Sequence, residues 1–208
     1  MGGMVPEDLY ALRWASDPRL SPDGRLVSYT VTGLDRESND YTSRVWLTSA
    51  DGAGGSRPFT SGDKQDGGGR WSPDGSRLAF VSNRDTKTSQ LFVIPAAGGE
   101  ARRISDLTED VAQVMWSPDG ATIAFSSRVR DDAYKEEDEG KRAPRRFRRL
   151  QFKLDTVGWT GDRRGHLFVV PADGSEPPLQ ITSGDFEDSD PAWSPDGARI
   201  AFPACSAR

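Results

Sequence analysis

An all-β chain of repeated, four-stranded antiparallel units is the fold class that the sequence predicts, and three observations predict it. The string SPDG occurs four times, beginning at Ser21, Ser72, Ser117 and Ser194. Each copy is followed in fixed register by a short apolar run: Val27, Leu78, Ile123 or Ile200 six residues after the serine, and Tyr29, Phe80, Phe125 or Phe202 eight residues after it. Composition is the third. Gly (22) and Pro (14) make up 36 of the 208 residues and mean hydropathy is −0.65, which suits a turn-dense chain, while 19 aromatic residues argue against disorder.

The elements follow in order from local chemistry. Trp71, Trp116 and Trp193 precede three of the four SPDG strings and Leu20 precedes the first, so each ends one strand. Proline then presets φ and cannot continue a central strand. Asp-Gly between two apolar runs is a strong hairpin signal, because glycine accepts positive φ and the aspartate can bond nearby backbone N–H groups. The LVSYT, RLAFVS, TIAFSS and RIAFPA runs are therefore second strands, antiparallel to the first. RVWLTSADG around Trp46, QLFVIPAAGG around Phe92 and HLFVVPADG around Phe168 read as third strands, and RPFTSG, ARRISD and LQITSGD as weaker fourth ones.

Four antiparallel strands per unit is the content of a β-propeller blade. Ser21 to Ser72 is 51 residues and Ser72 to Ser117 is 45, near the ~40–50 of propeller repeats. Ser117 to Ser194 is 77, and comparing the serine-to-aromatic offsets (20 for Phe92, 51 for Phe168) places a 31-residue insertion between the second and third strands of the third blade. The expected organisation is an incomplete propeller of about three and a half blades: blade 1 over about 15–62, blade 2 over 66–106, blade 3 over 110–184 with a charged insertion at 128–162, and half of blade 4 over 188–208. The run from Arg128 to Arg149 holds nine basic and six acidic residues. It reads as a solvated loop whose charges partly pair with each other, the alternative being a docking or gating loop.

Function classes narrow by exclusion. A formal charge of −5 calls for neither nucleic acid nor an anionic membrane. Cys205 alone supports no intramolecular disulfide and no cysteine-based zinc site. The start MGGMVPEDLYALRW lacks the pattern of a signal peptide, so cytoplasmic residence is the expectation. No G-x-S-x-G occurs, and His166, the only histidine, has no nucleophile motif to serve and reads as a strand-edge or loop residue. The carboxylate pairs Asp131/Asp132 and Asp188/Asp190 lack the spaced constellation of a metal loop and read as structural or solvated. Asp23, Asp74, Asp119 and Asp196 close their own hairpins. The recurring tryptophans serve blade packing, and neither Gly54-Gly55 nor Gly67-Gly68-Gly69 is a phosphate loop. The sequence thus nominates no catalytic, cofactor-binding or metal-ligating residue.

The WSPDGxxIAF units resemble the repeats shared by TolB-like proteins and the prolyl oligopeptidase family of serine peptidases. Three further stretches, PEDLYALRWASDPRLSPDGRLVSYTVT, RRFRRLQFKLDTVGWTGDRRGHLFVVPADG and ITSGDFEDSDPAWSPDG, are similar to the acylaminoacyl-peptidase branch of that family. The resemblance runs from Pro6 to Phe202. It implies a propeller of about seven blades capping a C-terminal α/β-hydrolase domain, with Ser, Asp and His in chain order and the Ser in a G-x-S-x-G elbow, and a cap that restricts access to short peptides. On that footing the expectation is a chain truncated before the catalytic domain and inactive alone, with peptides as partners through that domain and self-association through unpaired edges. The alternative is a stand-alone TolB-like interaction module. The ending AFPACSAR departs from the repeat by placing Pro203 in a strand, which suits a truncated or frame-interrupted coding sequence.

Overall fold

The computed structural model describes residue 3 and residues 5–61, 64–136, 138–145, 147, 152–155 and 158–206. After a short 3-10 turn at Pro6–Ala11 that lies on the second strand, the chain forms three four-stranded antiparallel sheets in succession. The first holds β1 (Arg13–Leu20), β2 (Leu26–Asp35), β3 (Asp40–Ser49) and β4 (Arg57–Pro58). The second holds β5 (Asp66–Trp71), β6 (Arg77–Ser82), β7 (Gln90–Pro95) and β8 (Arg102–Arg103). In the third, β9 (Val111–Trp116) and β10 (Thr122–Arg130) are followed by a small hairpin, β11 (Lys153–Leu154) and β12 (Gly158–Trp159), before β13 (Arg163–Pro171) and β14 (Leu179–Gln180) complete the sheet. Two two-stranded pieces follow, β15 (Phe186–Asp188) with β18 (Ala204–Ser206) and β16 (Ala192–Trp193) with β17 (Ile200–Ala201). Pro203 separates β17 from β18, as a residue without a backbone donor does.

Each sheet pairs its second and third strands most extensively, and the register sets aromatic against aromatic: Tyr29 opposite Trp46, Phe80 opposite Phe92, Phe125 opposite Phe168. The two phenylalanine pairs stack with ring centroids 5.6 Å apart. These pairs are the apolar filling between neighbouring sheets. Val45 of the first sheet meets Leu78, Phe80, Phe92 and Ile94 of the second, and Ala79, Leu91 and Val93 of the second meet Val114, Trp116, Ile123, Phe125 and Phe168 of the third. Stacked, unclosed four-stranded antiparallel sheets of this kind are an incomplete β-propeller.

One device recurs in every first strand. The fourth residue before each SPDG serine lies at positive φ: Asp17 (51°), Gly68 (66°), Gln113 (54°) and Asp190 (46°). In the three complete sheets this position interrupts the pairing register, so it is a β-bulge that adds twist where the strands converge.

Candidate functional site

Two rims face opposite ways. The SPDG turns join first and second strands at one rim; the connections from second to third strand, and from one sheet to the next, lie at the other.

The SPDG rim is four copies of one hydrogen-bonded unit. Each serine hydroxyl donates to its aspartate at 2.5–2.6 Å and accepts from the backbone N–H five residues on at 2.9 Å, while the aspartate accepts from the N–H two residues on at 3.0–3.1 Å. Bonding from serine first, and then from the neighbouring backbone, holds Asp23, Asp119 and Asp196 below the usual carboxylate range. Asp74, which also accepts from the Ser76 hydroxyl, is lowered to about 2. In each turn Oδ1 of the carboxylate accepts from the turn's own serine and backbone, which is a structural role.

The tryptophans tie one unit to the next. Trp71 Nε1 donates to Arg19 O at 3.1 Å, Trp116 Nε1 to Arg70 O at 2.9 Å and Trp193 Nε1 to Met115 O at 3.3 Å. Each acceptor is the residue two before the preceding serine, so the bond is a repeat of the architecture. The turn glycines, at φ of 69–73°, sit over the SPDG proline of the preceding unit: a Cβ on Gly75 would lie 3.5 Å from Pro22, on Gly120 3.4 Å from Pro73, and on Gly197 3.7 Å from Pro118.

The opposite rim is irregular and densely charged. Between the third sheet and β15 lies a cleft of about 520 Å³ whose lining includes Glu109, Gln113, Arg128, Arg163, Glu187 and Asp188. Arg128 pairs with Glu187 at 3.2 Å, and Arg164 pairs with both Glu187 (3.2 Å) and Asp185 (2.8 Å). Glu109, nearly buried, accepts from Arg130 and Arg163, one at each foot of the insertion. Asp162, also buried, accepts from Arg163 at 3.3 Å and from Arg145 at 2.9 Å. Arg145 lies 4.8 Å from the Trp159 ring, against which Phe147 and Phe152 also stack. The described part of the insertion is therefore anchored and has a small aromatic centre; residues 137, 146, 148–151, 156 and 157 of the predicted charged segment lie outside the described residues. Lys135–Asp132 and Lys141–Asp138 pair locally, the self-neutralisation that the charge pattern suggests.

His166 is placed inside β13 and is buried, not at an edge. Its Nδ1 lies 3.2 Å from Asp188 Oδ2 and 3.4 Å from Thr182 Oγ1. Both neighbours share one ring nitrogen, and the Thr182 hydroxyl is already the acceptor of the Leu167 N–H. A nucleophile–base–acid relay needs the two on opposite nitrogens. Asp188 and Asp190 do not act as a pair: Asp190 bonds Gln113 across the sheet junction at 2.7 Å. Asp131 caps a short turn through Ala133 N, and Asp132 meets Lys135. Among the described residues no cluster of three or more His, Cys, Asp or Glu could hold a metal ion, and no helix is long and apolar enough to cross a membrane.

Sequence reasoning missed the bulge residues. Asp17 binds Arg70 of the next sheet at 2.6 Å, and Gln113 binds Asp190 of the following one, so the bulges clasp neighbouring units from within. Aligning the four copies would have put Asp, Gly, Gln and Asp in one column, three of them types that tolerate positive φ.

Comparison with known proteins places this geometry. The profile of the PD40 family, described as the TolB beta propeller domain, matches residues 12–140. The uncharacterized peptidase YuxL of Bacillus subtilis is 34% identical over 206 residues, covering 97% of this chain and 31% of that protein. Dipeptidyl-peptidase 5 of Porphyromonas gingivalis is 32% identical over 80 residues, covering 38% of this chain and 12% of the relative. Among solved structures, Pyrococcus horikoshii acylaminoacyl peptidase superposes with a TM-score of 0.65 at 20% identity over 86% of this chain and 28% of its own. A putative TolB from Agrobacterium tumefaciens gives 0.62 at 22% identity over 93% and 55%. The chain spans less than a third of the length of these curated relatives.

Proposed function

The chain belongs to the PD40 family of TolB-type β-propeller domains, and from that premise we propose that it is the non-catalytic N-terminal propeller portion of a serine peptidase resembling acylaminoacyl peptidase. Its role is to restrict which peptides reach an α/β-hydrolase domain encoded beyond these 208 residues. One observation carries the reading: 97% of the chain aligns with less than a third of a peptidase-named relative. The missing G-x-S-x-G and the single-nitrogen engagement of His166 fit a chain that supplies no triad.

The test is to translate the coding DNA past codon 208 in all frames and to assay the longest product on acyl-peptide and peptidyl nitroanilides beside the 208-residue chain. The reading expects further WSPDG units, then G-x-S-x-G, with hydrolysis by the long product only. Turnover by the 208-residue chain that disappears on His166→Ala would overturn it. A second reading, a stand-alone interaction module, is favoured by the likeness to the putative TolB. A frame that completes the propeller and encodes no hydrolase motif would select it.

A further inference from the structure

Between the second and third sheets, at the rim opposite the SPDG turns, a cleft of about 600 Å³ opens beside the first residues of the insertion. Ligand sites commonly occupy ~300–1,000 Å³. Its apolar lining is Leu107, Val129 and Phe168, and among the described residues every ionisable group that lines it is a cation: Lys87, Arg128, Arg130 and Lys135. The two neighbouring clefts mix acids with bases. A uniformly cationic cleft in a chain of charge −5 runs against the composition.

The four cations differ in how far they are already committed. Arg128 is held by Glu187. Arg130 gives its Nε to Glu109, and its two terminal nitrogens have no hydrogen-bond partner among the described residues. Among the described residues Lys135 meets only Asp132, which is 91% exposed, so solvent screens the pair. Lys87 is exposed and forms no ion pair among the described residues. Thr88 and Thr108 add polar groups at the wall. Of the acids just after Lys135, the Glu136 carboxylate accepts from the Asp138 N–H at 3.2 Å and the Asp138 carboxylate pairs with Lys141.

We propose that this cleft binds an acidic segment of an extended peptide. A carboxylate meets Lys87 and the terminal nitrogens of Arg130, and a neighbouring apolar side chain lies on Leu107 and Phe168. Charge complementarity selects the acid, and the apolar floor selects a peptide over a small inorganic anion. The site concerns recognition by these 208 residues and stands apart from the peptidase reading, so either can fail without the other.

The test is fluorescence anisotropy of the 208-residue chain with a labelled, terminally blocked decapeptide of alternating Glu and Leu, a Lys/Leu peptide as its charge-reversed partner, and inorganic phosphate as competitor. The acidic peptide binds and the basic one does not. Lys87→Glu weakens binding about tenfold, the order expected for one charge-assisted contact, and Lys135→Glu weakens it less. Arg25→Glu, the same change of charge at an exposed SPDG turn, leaves binding intact. All three positions are exposed, and unchanged circular dichroism excludes misfolding. No binding, equal loss in Lys87→Glu and Arg25→Glu, equal binding of the Lys/Leu peptide, or full displacement by millimolar phosphate would each overturn the proposal.

Discussion

Trp116→Phe isolates the bond that joins one unit to the next. The indole N–H of Trp116 reaches Arg70 O at 2.9 Å, the side chain is 6% exposed, and the Arg77 guanidinium sits 4.8 Å from its ring. Phenylalanine keeps the apolar contact and removes the donor. Leaving the partly buried carbonyl unpaired costs about 1–2 kcal/mol. A weaker cation–π contact adds ~0.5 kcal/mol, and the space left by the smaller ring about 1 kcal/mol. The sum is about 3 kcal/mol, or roughly 6–12 °C in Tm for a chain of this size. At Trp193 the same bond is longer, 3.3 Å, and more exposed, so Trp193→Phe costs less than about 1 kcal/mol. Urea unfolding followed by far-ultraviolet circular dichroism measures both, with an unchanged m-value as the check that only stability has moved. A Trp116→Phe cost no larger than that of Trp193→Phe would refute the bond as the junction's tie.

Three further outcomes follow from the same geometry. Because Asp74 in the folded chain titrates well below its ordinary value, its contribution to stability is complete above about pH 4 and is lost as pH falls toward 2; Asp74→Asn should lower the urea midpoint at pH 7 and flatten its dependence on pH over that window, so that the two chains converge near pH 2. Gly165→Val should loosen β15 from the third sheet, since even a Cβ at Gly165 would lie 3.1 Å from Asp188 O. Faster amide exchange in residues 186–206, with Phe80 and Phe125 still protected, is the expected pattern. Asp162→Asn removes the buried negative charge shared by Arg145 and Arg163 and turns one of its two acceptor oxygens into a donor facing a guanidinium, a loss of about 3 kcal/mol or more, and should speed tryptic cleavage in the insertion several-fold while the sheets stay resistant.

The fold class was legible because the SPDG turn is a local device. Ser, Asp and Gly each make their contacts within five residues, so four copies announce four hairpins, and the apolar alternation after each serine sets which face is buried. The junctions were only half legible. Recurrence marked Trp71, Trp116 and Trp193 as packing residues, yet the acceptor of each indole lies 46–78 residues away. No spacing in the sequence reveals that partner. The same distance hid the pairing of His166 with Asp188, which depends on a strand 22 residues on folding across β13. The bulge residues were missed because a single Gln113 or Asp17 at positive φ looks like any polar strand residue until the copies are stacked.

The junctions also differ in kind, and the difference bears on how each unit is held. The first two have apolar cores, with Phe80 and Phe92 in one and Phe125 and Phe168 in the other, and the Asp17–Arg70 pair lies beside the first. The third substitutes Arg128–Glu187, Arg164–Glu187, His166–Asp188 and Gln113–Asp190. Apolar burial holds sheets together at any ionic strength, whereas partly exposed ion pairs weaken as salt rises. The last unit is thus the one whose attachment responds to its surroundings, and its ion pairs lie on the side of the insertion, beside the clefts lined by Glu109, Asp162 and Arg130. The SPDG rim, by contrast, repeats one serine–aspartate–backbone unit four times. In the connections opposite the SPDG turns, sequence can change without disturbing the repeated hydrogen-bonded unit that builds the arc.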